Sequence, residues 1–232
     1  IYMFDIKEFM AATGNPINYK TSVRRQKFDA IALSESELKK IWDAQVPDYI
    51  ENTKIRFLFM CYTGMRIGDS RRFSSVNIVD IAGSLCIKYV QQKSKGGKKC
   101  IIPVNLHPIL GECVSKGYRV TSDDKFRAYI KKLCIAAGLI NDVEHSVEKG
   151  GKRTIQYTPK YQLVTPHTAR RSFVTNMIFR GHSFHEISSM SGHSTLEIME
   201  IYNKVKGEDN AVKLSKLYRD KNKGETQGDV PK

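Results

Sequence analysis

The amino-acid sequence predicts a mainly α-helical protein carrying a small antiparallel β-sheet (α+β), and three observations support that class. From residue 34 onward apolar residues recur at helical spacing over most of the chain. One stretch, "SLCIKYVQQKSKGGKKCIIPV" over residues 84 to 104, instead sets β-branched and apolar runs on either side of Gly96-Gly97, as a hairpin does. The 232 residues, 41% of them hydrophobic, suffice for one large core or two modest ones.

Taken in order, "IYMFDIKEFMAA" over residues 1 to 12 reads as the tail of a helix. The polar, basic segment that follows it is broken by Gly14 and Pro16 and reads as a linker. A globular domain is expected from about residue 30. In "LSESELKKIWDAQV" Ser34 precedes Glu37 by three residues, a capping-box pattern that opens an amphipathic helix. The apolar "TKIRFLFMCYTG" predicts a buried helix, after which Gly64 permits a turn into a new helix from around Met65. Beyond the 84 to 104 hairpin the helical period returns in "GECVSKGYRVTSDDKFRAYIKKLCIAAGLI", where Asp123-Asp124 suits a helix start. A Gly- and Lys-rich loop is expected around residues 148 to 153, and helices over about 168 to 180, 184 to 190 and 195 to 203. Past residue 206 an amphipathic piece, "NAVKLSKLYRD", leads into the polar "KNKGETQGDVPK", whose end reads as disordered. The expected division is therefore 1–29, 30–205 and 206–232, with no internal repeat. The start at Ile1 without a Met suggests a fragment.

Lys and Arg number 38 against 24 Asp and Glu, and the resulting +14 points to a polyanionic partner, nucleic acid first. No run of eighteen apolar residues and no leader-like start is present, which argues against membrane and secretion readings. Cys61, Cys86, Cys100, Cys113 and Cys134 are widely spaced among apolar neighbours without a CxxC pair, as reduced core cysteines of a cytoplasmic protein would be. No phosphate-binding P-loop and no convincing carboxylate cluster for Mg²⁺ appears, so neither a metal nor another cofactor is expected.

The informative stretch is "TPHTARRSFVTN", residues 165 to 176, followed by "GHSTLEIMEIY", residues 192 to 202. His167 and Arg170 lie three apart and share a helix face, and Thr165-Pro166 suits a helix start whose free N–H groups favour an anion. Alone, an HxxR pair is most simply a surface pair. Arg66 in "TGMRIGDS" stands at another helix start, with Asp69 one turn on and able to brace it. His193 after Gly192 reads equally as a helix cap, and Tyr202 as one of eleven tyrosines.

As a set the residues say more. Their order (Arg, hairpin Lys, His-x-x-Arg, His, Tyr), with the "HTARRSFVT" and "GHSTLEIMEIY" boxes, resembles the tyrosine recombinase or phage integrase family over about residues 30 to 205. "QQKS" and "HTARRSF" are similar to integrases of Bacteroides-type mobile elements. The resemblance implies an integrase-like catalytic domain that cuts and rejoins double-stranded DNA through a 3′-phosphotyrosyl link, without metal or ATP. Arg66 and Arg170 would clamp the phosphate with planar forks. Tyr202 would be the nucleophile; its phenol, with a free pKa near 10, costs roughly 4 kcal/mol to ionise at neutral pH unless cations or a base help. His167 would be the base, and His193 would donate to a phosphate oxygen. A hairpin lysine would protonate the departing 5′ oxygen. Lys93, with Ser94 after it, fits the family's strand pattern and is the expected catalytic lysine, whereas counting back from "IIPV" favours Lys95, which is held open as the alternative. Lys98, Lys99 and Arg171 are further DNA-facing candidates.

The resemblance further implies a core-binding domain ahead of residue 30 and a homo-tetramer on paired sites. It also implies a C-terminal segment packing on a neighbour, an accessory DNA-bending protein, and a nucleoid-associated bacterial setting. Two other readings remain: type IB topoisomerase-like relaxation, and a helix-turn-helix regulator using the helices about Gly181 and Gly192.

Overall fold

The computed structural model describes residues 31–92, 97–149 and 152–194, together with Leu196, Ile198 and Ile201. The expected segments 1–29 and 206–232, and the candidates Lys93, Lys95 and Tyr202, lie outside the described residues.

Helix α1 (Glu35–Asp43) opens with the expected capping box: Ser34 N–H donates to Glu37 Oε2 at 2.9 Å, and Glu37 N–H to Ser34 Oγ at 3.3 Å. Leu38 and Ile41 are its buried face. Helix α2 (Asp48–Thr63) is buried nearly all round from Thr53 on, so it forms the centre of the molecule rather than a surface layer. It ends where Gly64 adopts φ 66°, capping the helix through its N–H to the Met60 carbonyl at 2.9 Å. A Cβ on Gly64 would stand 2.7 Å from Phe173 Cδ1, so packing as well as backbone conformation demands glycine here.

The next helix, α3 (Ile67–Arg72), starts two residues later than the sequence suggests, because Arg66 is its extended N-cap (ψ 155°). Six residues make a marginal helix alone. Tertiary bonds hold it: buried Arg56 of α2 donates to the Ile67 carbonyl at 3.0 Å and to Ser70 Oγ at 3.1 Å, and its guanidinium lies 4.3 Å over the Phe126 ring.

Strands β1 (Ile78–Ile81), β2 (Ser84–Val90) and β3 (Lys99–Pro103) form an antiparallel sheet in that order. The β2–β3 pairing is the expected hairpin, with Ile87 opposite Ile102 and Tyr89 opposite Cys100, all buried. Strand β1 adds an unexpected edge through a two-residue turn in which Ala82 and Gly83 both take positive φ, the geometry that matches strand twist.

Helices α4 (Pro108–Lys116) and α5 (Asp123–Ala136) pack on α2. Ser122 caps α5 and puts Asp123 and Asp124 in its first turn. The sequence reading of a loop around 148 to 153 is corrected: β4 (Asp142–Lys149) and β5 (Lys152–Pro159) form a second antiparallel hairpin, with Asp142 opposite Pro159 and Val147 opposite Thr154. His145, Ser146 and Val147 are buried, while Glu144 faces out to accept from Tyr157 Oη at 2.8 Å. After the single-turn helix α6 (Lys160–Leu163), helix α7 (Pro166–Phe179) runs against α2, and α8 (Phe184–Ser191) closes against β3. Leu196, Ile198 and Ile201 have helical backbone, in keeping with the helix expected over 195 to 203. No helix among the described residues is long and apolar enough to cross a membrane. The architecture is mainly helical with small antiparallel sheets.

Candidate functional site

Three chain segments far apart in sequence meet at the C-terminal end of α2. The first is the Gly64–Arg66 turn. Arg66 is half-buried and its extended backbone directs the side chain away from α3, where Nη1 donates to Gln91 Oε1 at 2.6 Å. The expectation that Asp69 braces Arg66 is corrected here. Asp69 pairs with Arg72 at 2.7 Å, because both belong to α3 and sit one turn apart, whereas Arg66 leaves the helix at its cap.

The second segment is the start of α7. Thr165 is the N-cap and Pro166 the first helical residue, as the sequence reading expects. His167 is exposed in the first turn, and Arg170 follows at the buried side, 2% exposed. Arg170 Nη1 donates to the Gly64 carbonyl at 2.7 Å and to the Ser191 carbonyl at 2.6 Å, joining the α2 turn to the end of α8. Arg171, next in the chain, lies on another face of α7: its Nη1 reaches the Ile31 carbonyl at 3.3 Å, and burial lowers its pKa.

The third segment is the end of α8. Gly192 caps the helix with φ 63°, and His193 follows, 6% exposed. Its Nδ1 lies 2.7 Å from Ser191 Oγ, which donates to the Ile187 carbonyl at 2.6 Å. A hydroxyl has one proton; with that proton on Ile187, Nδ1 is the donor to Oγ and Nε2 carries the lone pair. Burial, then the charges of Arg170 and Arg66, with smaller contributions from His167 and Lys98, push the imidazole pKa down to about 2. His193 is therefore neutral in the free protein. In that state it accepts at Nε2, and donation to an anion requires protonation or a rotated Ser191 hydroxyl.

Arg66, His167 and Arg170 line one cleft of about 470 Å³. The carboxylates on its wall are occupied, Asp69 by Arg72 and Asp123 by Arg71, so the arginine forks dominate the field. Among the described residues no cluster of three or more His, Cys, Asp or Glu stands ready to hold a metal ion. The arrangement suits a bound oxyanion, met by planar cationic donors with a neutral imidazole beside them. Lys99 is exposed on β3. Lys98 instead turns its Nζ onto the His193 carbonyl at 3.1 Å, an internal bond for a residue the sequence reading gives to DNA.

Residues 32–208, most of the chain, match the phage integrase family model. The chain belongs to the phage integrase family. Among similar proteins, the tyrosine recombinase XerA of Thermococcus onnurineus (strain NA1) is 27% identical over 180 residues, covering 75% of this chain and 58% of that protein. The tyrosine recombinase XerD of Staphylococcus epidermidis (strain ATCC 35984) is 25% identical over 214 residues, covering 88% of this chain and 68% of its own length. This integrase-family chain thus spans little more than half the length of the XerA relative. Its fold is similar to that of a lambda integrase dimer bound to a COC′ core site, with TM-score 0.54, 19% identity, and coverage of 85% of this chain and 68% of that one.

Sequence reasoning named Arg66, His167, Arg170 and His193, and the structure brings all four together. It passed over Gln91, 1% exposed, which touches Arg66 and the end of α8. The available signal was its place two residues before Lys93 in "QQKS".

Proposed function

We propose that this chain is the catalytic part of a site-specific DNA recombinase that breaks and rejoins strands through a 3′-phosphotyrosyl intermediate. The observation that carries the reading is the convergence of Arg66, His167 and Arg170 on one cleft, with neutral His193 close enough to feel the charge of all three, drawn from three distant segments. Family membership supports it.

In this reading Arg66 and Arg170 take the non-bridging oxygens of the scissile phosphate and stabilise the charge that builds there. Tyr202 attacks phosphorus, giving its proton to His167. The Tyr–O–P bond forms as the P–O5′ bond breaks, and Lys93 or Lys95 supplies the proton that makes the leaving group a 5′ hydroxyl. Attack of a 5′ hydroxyl from a partner duplex reverses the step and restores the diester. The phosphate's charge opposes the surrounding cations, raises the His193 pKa and allows Nε2–H to donate to an oxygen. Lys99 and the overall charge of +14 favour the DNA backbone.

Assembly as a tetramer on paired sites, help from a DNA-bending protein, and a cytoplasmic, nucleoid-associated location belong to the same proposal. So does a mobile element as the source. A helix-turn-helix regulator would use α7 and α8 but would leave Arg66 and its bond to Gln91 without a purpose.

The test is covalent trapping of the complete protein on a nicked duplex from its own junction, resolved on a denaturing gel. The expected result is a protein–DNA band that disappears in Tyr202→Phe. Binding without any Tyr202-dependent band refutes the reading.

A further inference from the structure

Gln91 directly follows β2 at the base of the hairpin that carries Lys93, and nearly all of it is buried. Its Oε1 accepts from Arg66 Nη1 at 2.6 Å, and its Nε2 donates to the Ser191 carbonyl, which Arg170 also serves at 2.6 Å. Arginine has only donors and a carbonyl only acceptors, so a single orientation of the carboxamide satisfies both neighbours. The backbone completes the joint. Gln91 N–H donates to the Lys98 carbonyl at 2.9 Å across the hairpin, and Lys98 Nζ donates to the His193 carbonyl at 3.1 Å. Gly192 lies directly over the carboxamide, where any Cβ would collide with Gln91 Cδ, Nε2 and Oε1.

We infer that Gln91 is a positioning residue of the reaction: it fixes the Arg66 fork and the Ser191–His193 segment to the base of the lysine hairpin, so that the anion-binding donors and the hairpin hold one geometry. The inference rests on the proposed recombinase reading. Gln91 itself touches no substrate. Its effect is exerted through Arg66 and through the carbonyl it shares with Arg170. A small displacement of either donor from the developing charge is costly, about 10²-fold per ångström of misplacement.

The experiment uses the complete protein on the nicked duplex, with wild type and Tyr202→Phe run alongside. Gln91→Met removes both bonds at similar volume. Gln91→Glu keeps an acceptor for Arg66 and sets a carboxylate against the Ser191 carbonyl. DNA affinity, the rate of adduct formation at saturating DNA, and the affinity of the DNA-free protein for inorganic phosphate are measured for each. The expected result for Gln91→Met is DNA affinity within about twofold of wild type with an adduct rate about 10- to 100-fold lower. Phosphate affinity also falls, and Gln91→Glu lies between Gln91→Met and wild type. An adduct rate within about twofold of wild type, or a loss confined to DNA affinity, overturns the inference. If Gln91→Met does not fold, as circular dichroism would show, Gln91→Glu decides by the same criteria. If wild type gives no Tyr202-dependent adduct, the recombinase reading is what fails. Phosphate binding then decides the role of Gln91, unchanged affinity in the variants overturning it and weakened affinity upholding it.

Discussion

The two hairpins of this protein are built alike and used differently. Both are antiparallel, and both carry a Gly-Gly pair in sequence between their strands. The β2–β3 hairpin buries Gln91 where its strands end and reaches Arg66, Ser191 and His193 through Gln91 and Lys98. The β4–β5 hairpin has α6 as its main neighbour beyond its own ladder, and leaves Ile155 and Tyr157 64% and 67% exposed. The difference lies in where polar side chains at the strand ends find partners. A hairpin wired by hydrogen bonds into buried cations becomes part of a site, and one that pairs mostly with itself stays peripheral.

Substitutions at three places probe that contrast. The largest effect is expected for Arg170→Ala, at the hub of the wired region. It leaves the Gly64 carbonyl without its buried donor, which costs about 1–3 kcal/mol for the unsatisfied group, and leaves the Ser191 carbonyl with Gln91 Nε2 in place of two donors. In the proposed mechanism it also removes a phosphate fork, worth about 10²–10³ in adduct rate. Urea unfolding and single-turnover trapping measure the two losses, and Arg170→Lys, which keeps the charge but not the fork, recovers only part of either.

His193 gives an intermediate effect with a defined pH window. Its pKa is about 2 in the folded chain against about 6.5 unfolded, so between those values the unfolded state binds the extra proton. The contribution is present above pH 6.5 and is lost as pH falls, at up to about 1.4 kcal/mol per pH unit. Unfolding of the DNA-free protein between pH 7 and 5 should therefore show falling stability, with a flatter slope in His193→Gln. An unchanged slope in the variant would place the acid sensitivity elsewhere.

The smallest effect belongs to the peripheral hairpin. Ile155→Ser combined with Tyr157→Ser should change stability by about 0.5 kcal/mol or less and leave the adduct rate at wild-type level. A marked drop in rate there would dissolve the distinction between the two hairpins.

What was legible in the sequence is what short-range chemistry dictates. Ser34 with Glu37, Thr165 with Pro166, and Gly64 each fix a local geometry within a few residues, and each stands where it was expected. The four charged or imidazole site residues were legible as a set because their order resembles a family. Gln91 was not, since its partners lie 25 and 100 residues away and a glutamine carries no charge to draw notice. The Asp69 expectation failed for a related reason: spacing suggested Arg66, but the extended backbone at the helix cap turned that side chain toward β2. Strands β4 and β5 were hidden by their own charge, because "HSVEKGGKRT" reads as a solvated loop until Val147 and His145 are found on one buried face.

The measurement that bears most directly on the central claim is the structure of the complete protein trapped on its nicked duplex. The account predicts Tyr202 bonded to phosphorus, with the non-bridging oxygens of that phosphate within hydrogen-bond reach of Arg66 and Arg170 and the 191–193 segment held by Gln91. A scissile phosphate lying outside this cleft, with the two guanidiniums turned away from it, would contradict it.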